Sequence, residues 1–261
     1  MSNIVRNSRR PLSDIVAESA RRVIYLLLYK NKRSARIRKG SLAGCTIFAP
    51  FEERLAFGLG TYEPDVAAAF EPLAKNGAVV YDIGAHIGFF SMLASKKGAR
   101  VFAFEANPAN VELLKTNLDT NSFTAATVMS MAVSDHTGTL SFATFGYSLV
   151  GSIAGANTAS DATLIEVPCT SLDEFVGSGA NPAPSLIKID VEGAEGLVVA
   201  GAMAVLAESK PVLIVEIHSE EQRKIVFGLT EPIGYQWRRL SGSTMELGTD
   251  EVGQFIGEMS A

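Results

Sequence analysis

The sequence predicts an α/β fold, a mostly parallel sheet with helices on both faces. Three observations carry this. VVYDIGAHIGFF (79–90) reads as a buried strand, a tight glycine turn and a helix start. VFAFEANP (101–108) reads as a second buried strand that ends in an acid, Glu105. SLIKIDVEGAEGLVVAGA (185–202) and PVLIVEIH (211–218) repeat the plan, with strands ending at Asp190 and at Glu216 and His218. Strands alternating with helices imply βαβ units. In an open parallel sheet, ligands bind at the carboxyl ends of the strands, where these acids gather.

The elements follow in order. Pro11, Ser13 and Asp14 start a helix over 14–29, with Ile15, Val16, Ala20, Val23, Ile24, Leu27 and Leu28 at helical spacing. Arg21 and Arg22 flank that stripe and KNKRSARIRK follows it. Two readings compete: a helix packed on the catalytic domain or a second subunit, and an interfacial helix anchored by its basic tail. Residues 41–51 read as an irregular or β entry segment, and 65–75 as the helix before the first core strand. Helices follow at 88–96 and 108–120, the latter with Pro108 in its first turn. A third strand is expected at 126–133. The runs 139–144 and 163–168 read as an inserted antiparallel pair. The Gly/Ala/Ser-rich loop 151–162 between them is a candidate substrate lid. A helix over 195–207 and a terminal hairpin within 232–247 complete the chain. The division expected is a basic arm, 1–50, and a ligand-binding domain, 51–261.

The glycine turn narrows the ligand. The dinucleotide fingerprint is G-x-G-x-x-G with an acid about 20 residues on. Here the turn runs Asp82-Ile-Gly84-Ala85-His86-Ile-Gly88, one glycine short and led by an acid. A carboxylate at Asp82 repels pyrophosphate, which needs a neutral or positive approach. It suits an ammonium or sulfonium, and so S-adenosylmethionine over NAD. Glu105 stands 105 − 84 = 21 residues after Gly84, placed for ribose hydroxyls. Gly84, Ala85 and Gly88 let the turn approach the methionine end, although the glycines also serve helix–strand packing. Asn107 helps place the adenosine or caps the helix at Pro108. Ser134 and Asp135 close the third strand near the expected adenine, or cap a turn there. His86 shapes the turn, and His136 sits in a polar turn.

The formal charge of −5 hides an asymmetry. Residues 1–40 hold eleven Lys/Arg against Asp14 and Glu18, a surplus of nine; the rest holds 12 basic and 26 acidic residues, or −14. Such an arm suits an anionic membrane surface; no nucleic-acid partner is expected. Cys45 and Cys169 lack metal spacing and read as reduced cytosolic thiols. No signal peptide is read at the start. The longest early apolar run, 23–29, is seven residues, far below the ~20 that span a bilayer. The expected location is cytoplasmic, with peripheral attachment to the inner membrane surface as the arm's contribution.

The chain resembles the FkbM-type methyltransferases. The matching pieces are TYEPDVAAAF (61–70), the run YDIGAHIGFF to LLKTNL (81–118), MAVSD (131–135), TSLDEF (170–175), LIKIDVEGAE (186–195) and LIVEIH (213–218). The resemblance implies a Rossmann-like class I methyltransferase fold with a seven-strand sheet. It also implies S-adenosylmethionine as donor and O-methylation of a small-molecule or glycan acceptor, often at a sugar hydroxyl. An alkyl hydroxyl must lose its proton, so a base helps. Asp190, Glu216 and His218 are the candidates by position, and His218 is the best base by intrinsic pKa. In another reading Asp190 and Glu216 hold a divalent cation, magnesium by ligand chemistry, that lowers the hydroxyl pKa; the resemblance does not settle the metal. The rivals are an NAD-linked oxidoreductase and a non-catalytic nucleoside-binding module.

Overall fold

The structure is a computed structural model that describes residues 34–144, 151–153, 163–240 and 252–259. The helix expected over 14–29 lies outside the described residues. The chain divides into two compact units, 1–62 and 63–261.

In the first unit, β1 (Ser34–Arg36) pairs antiparallel with β2 (Thr46–Phe48), and α1 (Phe51–Leu59) follows. Alternation buries Ala35, Ile37 and Ile47 on one side of the hairpin, and Leu42 and Phe57 are likewise closed to solvent. Gly60 ends α1 in the left-handed region at φ 68°, where a Cβ would strike the Lys39 carbonyl.

The second unit opens with α2 (Pro64–Phe70), β3 (Val79–Ile83), α3 (Phe89–Lys96), β4 (Arg100–Phe104), α4 (Pro108–Thr120) and β5 (Ala126–Met129). Then come β6 (Ala132–Val133), β7 (Gly138–Thr144), β8 (Gly151–Ile153), β9 (Thr163–Thr170) and α5 (Leu172–Gly177). The remainder is β10 (Leu186–Ile189), α6 (Glu195–Ala200), α7 (Met203–Ser209), β11 (Val212–Ile217), α8 (Glu220–Thr230), β12 (Tyr235–Arg239) and β13 (Gly253–Met259).

Seven strands form the main sheet in the order β12-β13-β11-β10-β3-β4-β5. The pairs β11·β10, β10·β3, β3·β4 and β4·β5 are parallel; β13 runs antiparallel to both β11 and β12. The expected architecture is therefore present. Its chain order reverses between β3 and β10, the position at which such sheets open a crevice. Tyr81, Ile83, Phe104, Ile187, Leu213 and Val215 form the core with Val198, Val205 and Leu206 of α6 and α7. Near-continuous apolar runs are the signature of a sheet covered on both faces. A smaller sheet, β6-β9-β7-β8, stands beside it.

Five elements depart from expectation. The 126–133 strand splits at Ser130 and Met131, its second half pairing parallel with β9 in the smaller sheet. Ser134 and Asp135 thus close β6, not the third strand of the main sheet. The 195–207 helix breaks between Ala200 and Met203; a Cβ on Gly201 would strike the Ser134 carbonyl. Gly151–Ile153 of the expected lid are strand, paired with Phe142, Ala143 and Thr144; residues 154–162 lie outside the described residues. The terminal hairpin pairs β12 not with a strand before 247 but with β13. The helix expected at 65–75 ends at Phe70.

Candidate active site

The turn after β3 is fastened to the end of β4. Gly84 and Ala85 donate their backbone N–H groups to the Phe104 carbonyl at 3.0 and 2.9 Å. Gly84 has φ 77°, and a Cβ there would overlap the Asp190 carbonyl. Gly84 therefore brings the ends of β3 and β10 together. Gly88, at φ 92°, caps α3, and its missing Cβ leaves room for Leu114. Between them His86 is held at φ 53°. A non-glycine residue there is strained unless its surroundings fix it. One fixing contact is visible: the His86 N–H donates to Glu105 Oε2 at 2.8 Å.

Glu105 stands one residue beyond β4 and is 7% exposed. Its other oxygen accepts from the Asn107 N–H at 2.7 Å. Burial pushes its pKa up to about 7, against the pull of those N–H donors and of Asn110. The carboxylate thus braces the turn. The carboxylate keeps lone-pair capacity for a ligand hydroxyl. Asn107 caps α4, its side chain accepting from the Ala109 N–H at 3.0 Å; of the two sequence readings, this capping contact is the one visible.

Asp82 is the penultimate residue of β3, 1% exposed. Oδ2 accepts from Ser91 Oγ at 2.6 Å, while Oδ1 is buried without a partner. Burial raises its pKa, opposed by Lys188. An orphaned buried carboxylate oxygen is costly unless a ligand satisfies it.

The second half of the site lies at the ends of β10 and β11. Asp190 follows β10, Glu216 lies in β11 and His218 follows it, so the sequence-selected residues share one sheet edge. His218 Nδ1 is 2.7 Å from Glu195 Oε1. Its Nε2 is 3.3 Å from Glu192 Oε2 and 3.9 Å from Asp190 Oδ1. Burial alone would lower the histidine's pKa. The hydrogen bond to Glu195 and the charges of Glu195, Glu192 and Asp190 outweigh it and push it up to about 9. Asp190 experiences the reverse: burial raises its pKa, and Lys188 and His218 together bring it below the usual range. Glu216 accepts from Gln254 Nε2 at 3.1 Å. Two groupings, Asp190–Glu192–His218 and Glu63–Asp190–Glu216, bring ligand atoms within 4.8 Å of one another.

Ser134 and Asp135 lie apart from these contacts. Ser134 is buried and donates to Asp135 Oδ1 at 3.2 Å; Asp135 is exposed and pairs with His136 Nδ1 at 2.7 Å. Three residues were missed in the sequence: Glu195, the partner of His218; Lys188, the partner of Asp190; and Glu63, held at φ 37°. A charged residue inside the apolar strand Leu186–Ile189 was the available signal for Lys188, because buried lysines require partners.

The Methyltransferase FkbM domain model matches residues 82–239. The chain belongs to the FkbM methyltransferase family. It is 32% identical over 189 residues to the hexuronic acid methyltransferase AglP of Haloferax volcanii, covering 72% of this chain and 74% of AglP. Among solved structures, the FkbM methyltransferase of Methylobacillus flagellatus is 20% identical, with a TM-score of 0.47 over 94% of this chain; this chain spans 60% of that one. The Escherichia coli protein yhhF is 16% identical, covering 87% of this chain and 99% of its own, with a TM-score of 0.50, and shares the fold. The protein is a methyltransferase, and the oxidoreductase reading falls. Family membership implies S-adenosylmethionine as donor. The buried, unpartnered Asp82 oxygen fits its ammonium, and Glu105 after β4 fits its ribose. Among the described residues, no helix is long and apolar enough to cross a membrane.

Proposed function

We propose that this methyltransferase transfers a methyl group from S-adenosylmethionine to a hydroxyl of a sugar or glycan acceptor. The observation that carries the proposal is a continuous line of groups across three neighbouring strands. Asp82 and Lys188 are register partners in β3 and β10. Lys188 pairs with Asp190, and Asp190 faces His218, which Glu195 holds. The line joins a place for a cationic cofactor to a histidine fixed by a buried carboxylate. The relative AglP acts on a hexuronic acid by its name, which supports a sugar-class acceptor.

In this reading Asp82 takes the donor's ammonium, Glu105 its ribose hydroxyls, and the turn 84–88 shapes the pocket floor. The bound donor supplies a methyl group already activated on a sulfonium, so the protein's work is placement and deprotonation. Glu195 orients His218 through Nδ1 and leaves Nε2 directed toward Asp190 and Glu192. Nε2 accepts the acceptor hydroxyl's proton, and the three carboxylates stabilise the imidazolium that forms. The pairing that raises this pKa to about 9 makes His218 a strong base but leaves it largely protonated at neutral pH. Deprotonation of His218 is therefore part of the cycle. Magnesium held by Asp190 and Glu216 has the grouping with Glu63 in its favour; it competes with Lys188, whose ammonium already lies against Asp190.

The division into an arm and a catalytic domain, a cytoplasmic location, oligomerisation and contact of residues 1–40 with an anionic membrane belong to the same proposal. The charge distribution supports the arm and its membrane contact, the thiols Cys45 and Cys169 the cytoplasmic location, and the apolar stripe over 14–29 a subunit contact. The test is incubation of the full chain with isotope-labelled S-adenosylmethionine and a panel of hexoses, hexuronic acids and their oligomers, read by mass spectrometry. A labelled methyl ether on a sugar is the expected product. Label confined to a carboxylate ester, an amine or a non-sugar overturns the reading.

A further inference from the structure

Lys188 lies in the buried strand β10 with 4% exposure. Its Nζ is 3.0 Å from Asp190 Oδ2 and 4.7 Å from the centre of the Phe90 ring. In register it stands beside Asp82. Residues paired across adjacent strands project on the same face. The other oxygen of Asp190, Oδ1, faces His218 Nε2 at 3.9 Å. Both oxygens of Asp190 therefore meet a nitrogen that carries or can carry positive charge.

Asp190 is also the residue common to both groupings capable of ligating a metal. A divalent ion bound through Oδ2 would be pressed against the Lys188 ammonium. One bound through Oδ1 would require a neutral imidazole beside it. Like charges at such separations repel strongly in a part-buried site. The ammonium already neutralises this carboxylate and fixes its orientation, and the deprotonation a metal would assist falls to His218.

We propose that Lys188 is the permanent cation of the acceptor end, occupying the position a divalent metal would take against Asp190, so that this methyltransferase works without one. Lys188 is a positioning residue. Its ammonium holds Asp190 Oδ2 and thereby aims Oδ1 at His218. Asp190, Glu63 and Asp82 keep it charged despite burial. The inference rests on the site reading given above, but its test needs neither donor nor acceptor.

That test is Mn²⁺ titration, followed by electron paramagnetic resonance, of the wild type, Lys188→Met and Lys188→Arg, each first checked for folding by circular dichroism. The wild type and Lys188→Arg are expected to bind no Mn²⁺ below about 1 mM, while Lys188→Met binds one ion at least about tenfold more tightly. Asp190→Asn added to Lys188→Met abolishes that binding. Folded Lys188→Met that binds no better than the wild type overturns the inference. If Lys188→Met does not fold, the wild type decides: one tightly bound Mn²⁺ lost on Glu216→Gln overturns the proposal, and absence of binding upholds it. In the labelled-methyl assay, wild-type turnover is expected to stay within about twofold under chelator or added magnesium. A chelator-induced loss that magnesium restores overturns the inference while leaving the sugar-hydroxyl reading intact. An absent sugar product leaves the Mn²⁺ result unaffected.

Discussion

At the β3–β4 end, Asp82 and Glu105 are buried and held above the usual carboxylate range. At the β10–β11 end, Asp190 is held below it, although burial there also opposes the charge. The residue type is the same; the neighbours differ. Asp82 has a hydroxyl partner and one free oxygen, and Glu105 has backbone N–H groups. Asp190 has an ammonium and an imidazole. In the proposed reading the first end gains positive charge when the cationic donor binds. The second end carries its own cations and keeps its acid ionised for orienting a proton acceptor. In the proposed reading the difference separates binding from chemistry along one sheet edge.

The comparison is broken most directly at His218. His218→Gln is expected to lower turnover by about 10²–10⁴ while leaving affinity for S-adenosylhomocysteine within about threefold. Glutamine retains a donor for Glu195. His218→Ala would leave Glu195, 0% exposed, with the Gly193 N–H but without its cationic partner, a change that costs about 3–5 kcal/mol and confuses unfolding with lost catalysis. Steady-state kinetics beside calorimetry provides the check. Full turnover in His218→Gln would remove the base from this end.

The binding end is expected to give a smaller, opposite split. Asp82→Asn and Glu105→Ala should each weaken S-adenosylhomocysteine binding by about 10–150-fold, the worth of one charge-assisted hydrogen bond of about 1.5–3 kcal/mol. Turnover at saturating donor should change less. If calorimetry finds affinity unchanged in Glu105→Ala, its only task is bracing the His86 turn.

Titration sharpens the contrast with effects of up to tenfold per pH unit. Ribose hydroxyls donate to the ionised carboxylate, so donor affinity should fall as pH drops below about 7, where Glu105 gains a proton. Turnover should rise with pH toward about 9, where His218 loses its proton. Stability should move the other way. The folded pKa of His218 exceeds its ordinary 6.5, so the stabilisation from its carboxylate partners is complete below that value. It is lost as pH rises through about 9. Thermal melts of wild type and His218→Gln across this window test the sign; parallel melting curves would contradict it.

The parallel sheet was legible because each core strand is an apolar run closed by an acid, and those runs mark their own ends. The site's edge was legible for the same reason. The partners of those acids were not. Glu195 reads as an ordinary first-turn residue of α6, and only the return of β11 brings His218 within 2.7 Å of it. Glu63 reads as the residue before Pro64; its left-handed backbone and its proximity to Asp190 are tertiary facts. Likewise the strand at 253–259 has a partner, β11, that lies some forty residues earlier. Local pattern shows which groups reach the edge, and crossovers decide which of them meet.

The smallest effect on this comparison is expected from the arm. Ser34–Arg36 pairs with Thr46–Phe48, so a cut after residue 40 would destroy a strand, and the informative cut lies before Ser34. That removes eight Lys/Arg together with Asp14 and Glu18. All the groups assigned to either end of the edge lie beyond residue 62, so donor affinity should stay within about twofold, the ordinary effect of changes distant from a site. Binding to vesicles that contain anionic lipid should fall, by about 1 kcal/mol for each basic residue near the surface, and should fall likewise at high salt for the full chain. Light scattering of the same pair separates the alternatives. A truncated protein that keeps vesicle binding removes the membrane from the proposal, and one that loses a subunit instead assigns the 14–29 stripe to protein contact.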